Sequence, residues 1–192
     1  VPMPALHPIP RSAQREEAWA NGAGVTRVIL REPDDGNWRV RISVATVAHE
    51  GPFSALPDTR RMLVPLDAPM TLRFPDGREL AGARFGVLRF DGTPAPLGLL
   101  PGGPTRDFNL MLRDGARGEV YPRPLTGSIV LPPETDVRWL LYLDSGSAAV
   151  ETGSGAPLAL NPHDAVLVPA GAGSPRTVVE GSGEIVLVKL YA

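Results

Sequence analysis

The chain has 192 residues, 43% of them apolar, with 19 basic and 21 acidic side chains and a formal net charge of −2. That length buries a real core without staples, and the charge balance leaves no electrostatic footprint for nucleic acid or an anionic membrane. With no cysteine, disulfides, thiolate catalysis and cysteine metal sites are excluded.

Residues 1–10 are rich in proline and lack the basic start and apolar core of a secretory signal. No apolar run reaches the length of a bilayer span, so a cytoplasmic location is expected. Position 1 is Val, which leaves room for a residue or a longer leader ahead of it. Residues 12–18 are the one helix candidate, with Ser12 as its cap and plain loop as the rival reading. Elsewhere 21 glycines and 22 prolines, spread throughout, interrupt any long helix.

The strand signals then follow one another. Residues 25–30 form a short apolar run. Over 39–47, Val40, Ile42 and Val44 alternate with Arg39, Arg41 and Ser43, the period-two pattern of a half-buried strand. Residues 62–66, 70–74, 85–90 and 108–112 read the same way, and Pro75-Asp76-Gly77-Arg78 is a turn between two of them. The stretch 115–125, with Pro122 and Pro124, reads as a hinge. Beyond it, 127–131, 137–143, 148–152, 165–169, 177–180 and 184–190 read as strands. Asp144-Ser145-Gly146-Ser147 and Glu180-Gly181-Ser182-Gly183 are expected to be turns. Many short strands with Gly and Pro turns predict an all-β fold, a sandwich, jelly roll or barrel. We expect two halves, 1–115 and 116–192, with an exchange of strands between them left open.

The segment Asp164-Ala165-Val166-Leu167-Val168-Pro169-Ala170-Gly171 is similar to the second conserved motif of cupins, a strand ending in a Pro and Gly turn. Metal-binding cupins continue into a histidine. This chain reads Gly173-Ser174-Pro175-Arg176, and the His-x-His pair of the first motif is absent. His7, His49 and His163 are scattered, without the spacing of a local ligand cluster. They read as surface or turn residues, and neither a metal nor a cofactor is expected.

Four motifs point further. They are Trp19-Ala20-Asn21-Gly22-Ala23-Gly24-Val25-Thr26-Arg27; Arg41-Ile42-Ser43-Val44-Ala45; Gly51-Pro52-Phe53-Ser54-Ala55-Leu56-Pro57; and Phe90-Asp91-Gly92 followed by Gly103-Pro104-Thr105-Arg106-Asp107-Phe108-Asn109-Leu110-Met111. In order and spacing they resemble the HutD/Ves family over residues 15–115. The chain departs from the family at Ala20 (usually Lys), Ala23 (usually Gly), Val40 (usually Trp, here Trp38) and Asp58-Thr59-Arg60, although Arg61 matches. The resemblance implies a metal-free double-cupin (bicupin) fold. It also implies binding of a pathway intermediate such as formylglutamate or urocanate, with a regulatory role in histidine utilisation or, for Ves-type members, in cold response.

The residues themselves allow two readings at most positions. Asn21, with Gly22 and Gly24, either presents a loop to a ligand or makes an ordinary Asn-Gly turn. Of Thr26 and Arg27, neighbours on a strand, only one reaches a given pocket; Arg27 is the candidate. Arg41 and Ser43 share a face that is either solvated or the lining of a barrel mouth. Asp107 and Asn109 share another, suited to an amide or imidazole N–H or to a neighbouring loop. Arg61 is the candidate carboxylate clamp, against a surface ion pair. Phe53 and Trp19 read as packing anchors. The first functional expectation is therefore a binding protein for a small acidic metabolite. The alternatives are a metal-independent isomerase or lyase with Asp107 as general base, and a protein–protein module using a sheet edge. A homodimer is left open; no nucleic-acid or membrane partner is expected.

Overall fold

The computed structural model describes residues 5–19, 22, 24–153, 155–171 and 176–192. In chain order the strands are β1 (His7–Ile9), β2 (Arg15–Ala18), β3 (Gly24–Glu32), β4 (Val40–Val47), β5 (Gly51–Pro52), β6 (Arg60–Pro65), β7 (Met70–Arg73) and β8 (Glu79–Gly82). There follow β9 (Leu88–Asp91), β10 (Leu97–Leu99), β11 (Thr105–Leu112), β12 (Arg117–Leu131), β13 (Val137–Thr152), β14 (Leu158–Leu160), β15 (Ala165–Val168) and β16 (Thr177–Tyr191). Among the described residues the only helical element is a 3₁₀ turn at Arg11–Ala13. The protein is all-β, as the turn spacing predicts, and among the described residues no helix is long and apolar enough to cross a membrane.

The chain divides into two compact units, Arg15–Ala116 and a second made of Val1–Gln14 with Arg117–Ala192. In the first, a six-stranded antiparallel sheet runs β2-β3-β4-β11-β6-β9 and a four-stranded sheet runs β5-β10-β7-β8. Leu63, Leu88 and Phe90 of the larger sheet meet Met70, Leu72 and Leu80 of the smaller in one apolar cluster. The β7–β8 turn is the expected one: Gly77 takes a φ of +87° and the Asp76 carboxylate accepts from the Arg78 N–H at 3.0 Å.

The second unit is a sheet of order β1-β15-β13-β16-β12, with β14 on β13. β1 pairs with β15, His7 opposite Leu167, so the N-terminal strand lies outside the half, 1–115, to which the sequence assigned it. Inside is an aliphatic cluster that includes Leu125, Leu141, Leu143, Val150, Ile185 and Leu187, all buried.

Several expectations are corrected. The helix candidate 12–18 is the short 3₁₀ turn followed by β2, because pairing with β3 satisfies that backbone. The two Gly-Ser segments at 144–147 and 180–183 are not turns. They lie opposite one another inside the long strands β13 and β16, where a Cβ on Gly183 would stand 1.9 Å from the Ser145 carbonyl oxygen. Glycine is there because two backbones approach too closely for a side chain. The expected hinge lies largely in β12, whose only partner among the described residues is β16; an edge strand tolerates Pro122 and Pro124.

Candidate functional site

Paired residues on neighbouring antiparallel strands face the same side of the sheet. Three rows of partners therefore cross the larger sheet of the Arg15–Ala116 unit on one face. One row is Glu17, Thr26, Ala45 and Asp107. The next is Val28, Ser43, Asn109 and Leu63. The third is Arg31, Arg41, Met111, Arg61 and Phe90. The other face of β4 and β11 carries Ile42, Val44, Phe108 and Leu110, which are buried. Both faces of these strands are thus inside, and the polar one is not solvated: Ser43 is 1% exposed, Asn109 3% and Asp107 0%.

Side chains from all three rows, with Phe53, Ser54 and Leu56 from the segment after β5, line a partly open cavity of about 350 Å³. That volume lies in the range of small-molecule sites, roughly 300–1,000 Å³. Arg61 is its buried cation. Its guanidinium carbon stands 5.2 Å from the Phe53 ring centre and 5.1 Å from that of Phe90, so two aromatic faces flank it. One Nη donates to the Asn109 amide oxygen at 2.9 Å. The Asn109 amide nitrogen in turn donates to Oδ1 of Asp107, so Asn109 stands between cation and acid. Arg61 Nε and Asp107 Oδ2 are buried with no hydrogen-bond partner. Orphaned groups of this kind cost stability unless something fills the site.

Burial pushes the Asp107 carboxyl up to about 7, against the opposing pull of the Arg61 charge, the Asn109 amide and a backbone hydrogen bond from Ala45. Burial lowers Arg61 to about 10, offset by the Asp107 charge and reinforced by Arg41; Arg61 stays cationic at neutral pH. Arg41 reaches Glu17 at 2.9 Å and the Met111 sulfur at 3.8 Å, so its charge has a partner within the site.

Of the seven residues named from sequence, Arg41, Ser43, Arg61, Asp107 and Asn109 come together around this cavity. Arg27 does not. It pairs in register with Val44, on the opposite face, and its guanidinium binds Glu16; Thr26 lines the cavity in its place. Asn21 lies outside the described residues. Trp19 and Phe53 both pack against the apolar cluster, as expected of anchors, yet both also line the cavity, and the Trp19 indole N–H donates to the Thr26 hydroxyl at 2.8 Å. The sequence reading missed Glu17, hidden inside the supposed helix. Of the strand neighbours Thr26 and Arg27 it took Arg27, whereas Thr26 is the one on the cavity face. His7 and His49 are exposed and His163 lies beside Tyr142 in the other unit. Among the described residues no group of three His, Asp or Glu could hold a metal ion.

Fold and site together define an all-β protein of the bicupin type, with a polar cavity in one of its two units. The family model described as HutD matches residues 11–187, and the chain belongs to the HutD family. It is 34% identical over 105 residues to Protein Ves of Cronobacter sakazakii (strain ATCC BAA-894), a match covering 53% of this chain and 58% of that one. The matched stretch thus spans little more than half the length of that relative. The fold is similar to the conserved protein of unknown function PA5104 from Pseudomonas aeruginosa PAO1, with a TM-score of 0.86, 25% identity and coverage of 98% and 100% of the two chains. It is also similar to HutD from Pseudomonas fluorescens SBW25, with a TM-score of 0.78, 23% identity and coverage of 97% and 98%.

Proposed function

We propose that the chain is a small-molecule-binding protein. In this reading its cavity takes an acidic metabolite of the formylglutamate or urocanate type, with a regulatory role in histidine utilisation or a stress response. The observation that carries this reading is the state of Arg61: a buried guanidinium with an unpartnered Nε, lining a cavity of small-molecule size. A ligand carboxylate is the charge complementary to such a guanidinium. Membership of the HutD family supports the pathway part of the proposal. Isothermal titration with formylglutamate, urocanate and glutamate tests it, and at least one is expected to bind. Arg61→Met keeps the hydrophobic contact with Phe53 and Phe90 and removes the donors, so affinity is expected to fall about tenfold to hundredfold. No heat with any of the three acids, or full affinity in that variant, overturns the reading.

A second reading has one observation in its favour. The raised Asp107 carboxyl with its unpartnered Oδ2 suits a general base for a metal-independent isomerase or lyase. Among the described lining residues the second carboxylate, Glu17, is paired with Arg41 and no histidine, lysine or tyrosine is present, which ranks this reading below binding. Turnover of the same acids that survives chelation and is lost in Asp107→Asn would favour it.

A further inference from the structure

Strand β12 ends the sheet of the second unit, and among the described residues its one partner is β16. The hydrogen-bond sense of its free edge follows from its neighbours. Ala192 donates its N–H to the Asp136 carbonyl oxygen at 2.8 Å, next to the Tyr191 and Val137 pair of the β13–β16 ladder. N–H groups alternate in direction along a strand, so the even-numbered residues of β16 turn theirs to β13 and the odd-numbered ones to β12. The β12–β16 register pairs odd with odd and runs unbroken from Arg117 opposite Tyr191 to Leu131 opposite Thr177. It continues across Gly127, whose φ is +95°. The even-numbered residues of β12 therefore point their N–H and C=O groups away from β16.

The two halves of that edge differ. Over 117–124 it carries Arg117, Glu119 and Arg123, and two of its outward positions are Pro122 and Pro124, which have no N–H. Charge and proline are the usual means of keeping an edge strand unpaired. The rest, Leu125-Thr126-Gly127-Ser128-Ile129-Val130-Leu131, has neither. Its outward positions Thr126, Ser128 and Val130 are exposed, and Val130, at 50%, is the most exposed large apolar residue among those described. A Cβ at Gly127 would meet nothing within 4 Å. Leu125 and Leu131 anchor both ends of the segment in the aliphatic cluster.

The strand that fits this edge offers backbone donors and acceptors in antiparallel sense and brings no charge, and the segment itself does both. Prolines stand at 124 and 132, equally far from Ser128. A second copy turned about a twofold axis through Ser128 thus pairs open edge with open edge, and each Pro124 falls opposite the other copy's Pro132. Thr126 faces the partner's Val130 and Ser128 faces its own counterpart, and each such pair can exchange two N–H···O bonds. Arg123 falls opposite the partner's Pro133, so no like charges meet. We propose that the open half of β12 is a homodimer contact, in which residues 125–131 of two copies pair antiparallel about Ser128 and continue one sheet through both. The contact is short beside the roughly 20–30 residues a side of a standard stable interface, so the dimer forms and parts with concentration.

The test is sedimentation of the full chain, with no acid added, from about 5 to about 500 µM. The expected result is a monomer at the low end and a growing dimer fraction towards the high end. Amide hydrogen exchange, read by NMR, should slow at Thr126, Ser128 and Val130 as the dimer fills. Ser128→Lys sets two ammonium groups face to face across the axis and is expected to weaken the dimer at least tenfold. Its fold is checked by thermal unfolding; Val130→Lys, which places a charge on the same edge, takes its place if it does not fold. A chain that stays monomeric throughout overturns the proposal. So does a dimer of unchanged strength in the folded lysine variant, or one that leaves exchange at the three amides unaltered. A monomer whose open edge takes a strand of a different protein overturns the second copy as occupant. The cavity lies in the other unit, so acid titration decides its reading separately from each of these outcomes.

Discussion

In the unit built around Arg117–Ala192, β12, β13 and β16 aim Leu125, Leu141, Leu143, Ile185 and Leu187 at one another. In the Arg15–Ala116 unit, β4, β6 and β11 aim Ser43, Arg61, Asp107 and Asn109 at a cavity. Both are antiparallel β-structures from one chain and both bury an acid, Asp144 in the first and Asp107 in the second, but among the described residues Arg61 is the one buried cation, and it lies with Asp107 on the cavity. Burying Arg61 and Asp107 costs several kcal/mol that their mutual attraction only partly offsets. The polar lining is thus a cost that the fold carries, beside the apolar cluster of Leu63, Met70, Leu72 and Phe74.

The largest expected effect that sharpens this contrast is in the aliphatic unit. Leu141→Ala removes a fully buried side chain and should cost about 2–5 kcal/mol in urea denaturation, while acid binding by the folded fraction stays unchanged. Next comes a pH effect specific to the cavity unit. The Asp107 carboxyl lies at about 7 in the folded chain against an ordinary 3.8, so between those values the folded state binds more protons than the unfolded state. Stability from this group is therefore full below about pH 4 and declines as pH rises to about 7, by a few kcal/mol in all. Denaturation curves between pH 4 and 8 should show that decline, and Asp107→Asn should flatten it.

A smaller effect is expected at Gly98, where an added Cβ would stand 2.6 Å from Phe53 Cε2. Gly98→Ala displaces the ring that flanks Arg61, for a stability loss of about 1 kcal/mol and severalfold weaker acid binding by titration. The smallest is at the cavity margin. Glu17→Gln releases Arg41 from an ion pair worth less than about 1 kcal/mol, so acid affinity should rise about twofold to fivefold. A drop in affinity there would mean that Glu17 positions Arg41 for the ligand instead of competing with it.

Much of this was legible in the sequence. The alternation over 39–47 put Arg41 and Ser43 on one side, and the same period paired Asp107 with Asn109. Which side is inside was not legible. Polar residues opposite Val40, Ile42 and Val44 look like a solvated face until Phe53, Ser54 and Leu56 join them around the cavity, and only the register that brings Met111 between Arg41 and Arg61 reveals a lining. Glu17 was hidden because Ser12 looks like a cap, whereas tertiary pairing with β3 overrides so weak a local signal. Arg27 failed as a cavity residue by one position, since a strand turns its neighbours to opposite faces. The Gly-Ser segments at 144–147 and 180–183 failed for another reason: glycine at a close backbone crossing has the same composition as glycine in a turn.

The pairing of β1 with β15 has a bearing on synthesis. Arg11 donates its N–H to the Asp164 carboxylate at 2.8 Å across 153 positions of sequence, and Gln14 donates to the His163 carbonyl oxygen nearby at 2.8 Å. A ribosome releases residues 7–14 well before their partners exist. The Arg15–Ala116 unit draws every strand from one continuous stretch, so it can assemble while translation continues. The aliphatic unit must wait for its last strands, with its first strand held in reserve. Domains that complete early fold early, and long-range strand pairing is slow; the Arg15–Ala116 unit is therefore expected to fold ahead of the other.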